Sequence, residues 1–191
     1  MKVIAINGSS RKNGNTSILI EKVFEPLKKN GIECQQVQLA GHDIRGCRAC
    51  YTCSKKKNNH CSYEGDIVNE CIDKMIEADA IILGSPVYVS DVSSEMKALI
   101  DRTCLVSRAN GSFLKRKIGA AVMAVRRGGA IHAFDTMNHF FTISEMIIVG
   151  SSYWNFAFGR EIGDVTKDEE GMDTMKTLGE NMAWLLKKIN P

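Results

Sequence analysis

The sequence carries no large excess of charge. Its 25 Lys and Arg stand against 22 Asp and Glu, a formal net charge of +3, which excludes a strongly basic nucleic-acid binder. It has no apolar run long enough to cross a bilayer, and its start lacks the pattern of a secretory leader. Met1 and Lys2 lead straight into the apolar VIAIN. The expectation is a cytoplasmic protein with neither a membrane nor a nucleic acid as partner. There is no internal repeat, low-complexity tract or linker. A length of 191 residues with 44% hydrophobic content fits one domain, residues 1–191. A reducing compartment argues against disulfides, and an odd total of seven cysteines makes a poor disulfide framework.

What is present alternates between apolar runs and helical patterns. Residues 2–7 (KVIAIN), 80–84 (AIILG) and 118–125 (IGAAVMAV) read as buried strands, and 146–151 (MIIVGS) as the last strand. Residues 33–39 read as a weaker strand whose Gln35, Gln36 and Gln38 suit a sheet edge. Helices are expected over 16–29, from Asp66 as cap to Glu77, and over 93–105, 129–141 and 173–189. Pro26 should kink the first of these or end it early. Such alternation makes an α/β fold with a parallel sheet and helices on both faces. Five strands in this length suggest a three-layer, flavodoxin-like fold with strand order 2-1-3-4-5. Ligands then sit beyond the carboxyl ends of the first and third strands. The loops starting at Asn7, Gly84, Val125 and Gly150 should form the site.

The first of these loops, NGSSRKNGNTS (residues 7–17), joins a buried strand to a helix N-terminus, where free N–H groups and the helix dipole favour an anion. Ser9, Ser10, Asn15 and Thr16 add short donors, and Arg11 adds a charge. The loop lacks the GK[ST] ending of a nucleotide triphosphate loop and is not GxGxxG. No cysteine follows the first strand, which disfavours a Cys-nucleophile phosphatase. No acidic pair ends that strand, which disfavours a phospho-acceptor receiver. The second loop opens GSPVY, with Ser85, Pro86, Val87 and Tyr88 placed to wall a flat ring. In the third, VRRGGA, Gly128 and Gly129 allow close backbone approach, and Arg126 and Arg127 can meet a pyrimidine edge or a phosphate. In the fourth, GSSYWN, Tyr153 and Trp154 suit a flat ligand or a subunit interface. His132 and His139, on the helix after VRRGGA, read as structural.

GSSRKNGNT, GSPVY and the late GG loop together resemble the NADPH-dependent FMN reductases of the flavodoxin-like superfamily, over nearly the whole chain. The resemblance implies FMN, with its phosphate on residues 9–16 and its ring against residues 86–89 and 126–129. It places phosphate contacts at Ser9, Arg11, Asn15 and Thr16, and ring contacts at Pro86, Val87 and Tyr88. It also implies NAD(P)H as co-substrate and a homodimer or homotetramer. Flavin would carry the redox chemistry, so no catalytic acid or base is assigned.

A cysteine-rich insertion lies at about 45–62. Cys47, Cys50, Cys53 and Cys61 are spaced C-x2-C-x2-C-x7-C. Three close cysteines can reach three irons of one cluster, and the polar stretch 54–60 lets the fourth fold back. The run resembles the cysteine motif of the iron–sulfur flavoproteins, a branch of the same family. That resemblance implies a 4Fe–4S cluster beside the flavin. Structural zinc and free thiols in a flavin-only reductase stay open as alternatives. Cys34, Cys71 and Cys104 read as small core residues. Arg45, Arg48 and Lys55 to Lys57 make the insertion basic, which suits steering of an acidic carrier such as a ferredoxin. The function expected is an FMN-dependent oxidoreductase passing electrons between NAD(P)H or a ferredoxin-like carrier and a quinone, flavin or dioxygen. Two other classes compete: a non-enzymatic electron-carrier flavoprotein, and a zinc-stabilised protein binding a phosphorylated ligand.

Overall fold

A computed structural model describes residues 1–189; the last two residues of the expected domain lie outside the described part. The chain runs β1 (Lys2–Asn7), α1 (Asn15–Lys29), β2 (Glu33–Gln38), α2 (Thr52–Lys56), α3 (Val68–Glu77), β3 (Ala80–Pro86) and α4 (Ser94–Ala109). It continues with β4 (Ile118–Val125), α5 (Ala130–Ile143), β5 (Ile147–Ile148), β6 (Phe156–Phe158) and α6 (Glu169–Ile189). The sheet has the order β2-β1-β3-β4-β5, and every strand pair is parallel. β1, β3 and β4 are buried almost throughout, because helices cover both faces. Alternate residues feed two cores. Ile4, Ile6, Ile81 and Leu83 pack with side chains of α3, α4 and α5. Val3, Ala5, Ala80 and Ile82 pack with those of α1 and α6.

The flavodoxin-like order is as expected, and β2 lies at the edge with its glutamines half-exposed. Three local expectations are corrected. First, α1 runs through Pro26 to Lys29. Pro26 lies in the last turn, where a missing N–H removes a single helical bond. Asn30 closes that turn by donating from both its backbone N and its Nδ2 to the Pro26 carbonyl. Second, the last strand is broken in two. Ile147 and Ile148 pair with Ile118 and Gly119, then the chain leaves the sheet and returns as β6 beside Met123–Val125. The polar SSYWN stretch makes this excursion by satisfying itself. Ser151 Oγ donates to the Tyr153 carbonyl at 2.6 Å and meets Asn155 Oδ1, while the Asn155 carbonyl accepts from Met123 N. Third, the N-cap of α3 is Ile67 rather than Asp66; from one residue earlier Asp66 Oδ1 accepts from Val68 N, and its other oxygen is committed to Arg102.

α6 crosses α1 at Gly179. A Cβ there would stand 2.3 Å from the Val23 carbonyl oxygen and 2.5 Å from Pro26 Cγ. In an open helix, alanine in place of glycine gains about 0.5–1 kcal/mol. Here the backbone carbonyl cannot yield, so overpacking dominates. Gly179→Ala is expected to destabilise by about 1–3 kcal/mol in a urea titration.

Candidate functional site

The parallel register brings Asn7 of β1 opposite Gly84 of β3, and Pro86 opposite Ala124 of β4. Beyond these ends lies an open cleft of about 330 Å³, at the lower end of the size range of small-molecule sites. Ser9, Arg11, Asn15 and Thr16 line one side, and Pro86, Val87 and Tyr88 the other, with Ala124 and Arg126 from β4. Seven of the residues expected from the sequence to contact FMN outside the third loop, together with Arg126, thus meet in one place.

The anion side is built from a tight loop. Asn7 Oδ1 accepts from Ser9 N at 3.0 Å, and Ser9 Oγ accepts from Arg11 N at 3.1 Å. Gln38 Nε2 braces the loop by donating to the Ser9 carbonyl. Helix α1 starts after Gly14 with no side-chain cap and no acidic residue in its first turn. Its first N–H groups and positive dipole end are left for a ligand. Thr16 Oγ1 is buried there without a hydrogen-bond partner. A buried hydroxyl without a partner carries a desolvation cost that a bound anion would remove. The residues present therefore fit a phosphate.

The remaining residues named from the sequence take other places. Ser10 Oγ meets Tyr88 OH at 3.0 Å and links the two sides. Ser85 is fully buried, its hydroxyl donating to the Pro86 carbonyl and accepting from Ser93 N. Arg127, Gly128 and Gly129 lead into α5 outside the cleft wall. The Gly150 loop does not form the site, contrary to expectation. Tyr153 packs on Trp154, with ring centroids 4.7 Å apart, and shares a separate recess with Phe156, Phe158 and Thr174. His132 is exposed, with Nε2 3.5 Å from Asp91.

The last wall comes instead from Gly159 and Arg160, after β6. Asn15 ties this segment down: its Nδ2 donates to the Glu161 carbonyl at 2.9 Å, and its Oδ1 accepts from Gly163 N at 2.8 Å. Arg11 Nη1 donates to the Arg160 carbonyl at 3.1 Å. The sequence signal for this wall was faint, since only the alternating FAF marks the strand that delivers it.

A second recess lies on the α4 side, between the cysteine-rich insertion and α4. Cys47, Cys50, Cys53 and Cys61 all line it, with Arg45, Tyr63, Arg102 and Leu105, around a small cavity of about 30 Å³. The insertion is not all loop, because Thr52–Lys56 forms one helical turn. Ala49 and Tyr51 take left-handed backbone, with φ of 51° and 54°, which wraps the chain around its own thiols. Cys47 and Cys50 are exposed, Cys53 is buried and Cys61 is half-buried. Ser62 and Thr52 hydrogen-bond to Cys50 and lower its thiol to about 6. Cys34 and Cys71 differ: burial raises them to about 11 and about 12. Among the described residues, no three His, Cys, Asp or Glu side chains stand ready to hold one metal ion.

Arg102 of α4 was not foreseen. Its side chain is 1% exposed and paired with the Asp66 carboxylate, which is itself buried. It also donates to Cys61 Sγ at 3.3 Å, to the Arg45 carbonyl at 3.2 Å and to the Tyr63 carbonyl at 3.0 Å. Burial opposes its charge, but Asp66 and Cys61 more than offset this and raise its proton affinity. An arginine inside a helical pattern gives no sign that it faces inward.

Comparison with known proteins gives the family. Residues 1–161 match the family model described as NADPH-dependent FMN reductase. An iron–sulfur flavoprotein of Methanocaldococcus jannaschii is 37% identical over 99% of both chains. The iron–sulfur flavoprotein of Methanosarcina thermophila is 32% identical over 99% of this chain and 97% of its own. Among solved structures, a flavodoxin from the domain Archaea superposes with a TM-score of 0.65 at 18% identity, over 98% and 99% of the two chains. RosB, solved with a bound 8-demethyl-8-formylriboflavin-5'-phosphate, gives 0.79 at 18% identity over 99% of this chain and 80% of its own. The chain therefore belongs to the NADPH-dependent FMN reductase family of flavoprotein oxidoreductases.

Proposed function

We propose that this FMN-dependent oxidoreductase passes electrons between NAD(P)H or a ferredoxin-like carrier and an acceptor such as a quinone, a flavin or dioxygen. A 4Fe–4S cluster on Cys47, Cys50, Cys53 and Cys61 would work beside the flavin. The observation that carries the reading is the pairing of two sites in one chain: a phosphate cradle facing an apolar wall, and a recess lined by four thiols. When bound, FMN supplies hydride and single-electron chemistry and the cluster supplies single-electron transfer.

The protein's own part is binding and placement. Thr16 Oγ1, Ser9 and the free N–H groups of α1 would hold the phosphate, with Arg11 and Arg126 balancing its charge. Pro86, Val87 and Tyr88 would carry the ring. Ligands bind as thiolates, so a Cys50 already lowered to about 6 reduces the proton release on loading. All seven cysteines are free thiols, which suits a reducing, cytoplasmic setting. Exposed Lys55, Lys56 and Lys57 beside Arg45 and Arg48 would attract an acidic carrier. Ile147 and Ile148, exposed on the free sheet edge, support a homodimer or homotetramer. Among the described residues no helix is long and apolar enough to cross a membrane.

Thr16→Val combined with Arg11→Gln should weaken FMN binding to the flavin-free protein about 10-fold to 100-fold, read by flavin fluorescence quenching. An unchanged affinity would remove the phosphate assignment. Cys53→Ser should lose iron and sulfide while keeping flavin, whereas Cys34→Ser should keep both. Retention of iron by Cys53→Ser would refute the ligand set. In the reduced, metal-free protein, Cys50 should alkylate as its thiolate, half-maximally near pH 6, and lose reactivity as pH falls below that value. Cys71, at about 12, should stay unreactive at pH 8, as mass spectrometry of the labelled peptides would report.

A further inference from the structure

Helix α4 contributes no cysteine to the thiol recess, yet one of its side chains reaches four points of the cysteine-bearing segment. Arg102 Nε donates to Cys61 Sγ at 3.3 Å. Its Nη1 donates to the Arg45 carbonyl at 3.2 Å and to Asp66 Oδ2, and its Nη2 donates to the Tyr63 carbonyl at 3.0 Å. These partners lie before Cys47, at Cys61, and after Cys61, so one planar fork closes the segment at both ends. The Tyr63 ring adds a face to the charge, with its centroid 5.5 Å from Arg102 and 5.1 Å from Arg45. The other side-chain anchors from outside the segment, Asn69, Asp73 and Asn110, hold only residues 59–63, and among them Arg102 alone also reaches Arg45 ahead of the first cysteine. The segment forms no strand, its one helix spans five residues, and four of its residues hold left-handed backbone.

We propose that Arg102 is a positioning residue for the thiol site, one that pins the 45–66 segment in its ligating shape and raises the reduction potential of the cluster through its hydrogen bond to Cys61. The proposal rests on the cluster reading above. Its physical basis is the fixed positive charge. A donor aimed at a ligating sulfur favours the state carrying more negative charge, and hydrogen bonds to sulfur are one of the levers on cluster potential. The guanidinium is almost wholly screened from solvent, so water does little to weaken its effect. Neither role needs Arg102 to touch FMN or substrate.

Two variants separate these roles from general damage to the fold. Arg102→Gln removes the charge and the fork, and Arg102→Lys keeps the charge with fewer donors. The first measurement is hydrogen exchange by mass spectrometry on the metal-free chain. Arg102→Gln should speed exchange within residues 45–66 by about tenfold, leaving β1, β3 and β4 protected; a change below about twofold overturns the pinning. The second is an anaerobic redox titration of the loaded protein followed by electron paramagnetic resonance. It adds one electron per centre from an external reductant, with no bond made or broken in the protein. At the potential where the parent is half reduced, Arg102→Gln should show a reduced-to-oxidised ratio about tenfold lower, a shift of 59 mV for one electron. Arg102→Lys should recover part of it. A ratio within about twofold of the parent in Arg102→Gln overturns the electrostatic role. A parent protein that takes up no iron would refute the cluster reading and with it the shift in potential. The exchange comparison on that same chain would still decide whether Arg102 pins the segment.

Discussion

The constraint on which the structure depends is the common end of three buried parallel strands. Asn7 sits opposite Gly84, and Gly84 opposite Val122, so β1, β3 and β4 release the chain at one edge. Everything that follows must turn there, and turns need polar or conformationally free residues. The edge therefore collects the Asn-Gly-Ser-Ser loop, the Pro-Val-Tyr turn and the arginines after β4. Gly84 tightens the arrangement. A Cβ at that position would lie 2.6 Å from Ile20 Cδ1 and 3.1 Å from Thr16 Cγ2, so the first turn of α1 can press directly onto β3. The buried Thr16 hydroxyl at the mouth of the cradle is a consequence of that close approach.

The thiol site obeys a different logic. It is grafted between β2 and α3, where the sheet imposes nothing on the chain. Its order comes from side chains, with Asp66 and Arg102 inside and Asn69 bracing Cys61 from α3. Asn69 Oδ1 accepts from Cys61 N at 2.8 Å, and its Nδ2 donates back to the Cys61 carbonyl at 3.0 Å. A buried ion pair is weak evidence for stability in itself, but losing one member leaves an uncompensated charge. That asymmetry suits a device that holds one loop in one shape. The two sites thus share a chain without sharing a means of construction, one resting on strand ends and the other on a buried arginine.

Much of this was legible in the residues. The fully apolar strands and the spacing of the helices carried the topology, because burial on both faces leaves a continuous hydrophobic run. The phosphate loop was legible because strand, glycine turn and short donors occur in sequence. What escaped were features made by long-range contact. The interruption of the last strand depends on Ser151 and Asn155 satisfying the local backbone, a hydrogen-bond pattern that periodicity does not register. Arg160 reaches the cleft because Asn15, 145 residues earlier, holds the segment after β6. Pro26 reads as a helix breaker until Gly179 provides a surface for its ring. Arg102 carries the same letter as any solvated arginine, and its burial is decided by an acid 36 residues away.

Whether one chain holds both a flavin site and a four-thiolate cluster site is open to direct measurement. The most direct measurement is anaerobic purification of the unmodified protein, followed by its visible spectrum and its flavin, iron, sulfide and zinc content. Flavin absorbance over a broad cluster band is expected, with about one FMN, four irons and four sulfides per chain, as a cubane on four thiolates requires. Flavin without iron and sulfide, or zinc in their place, would contradict the cluster reading.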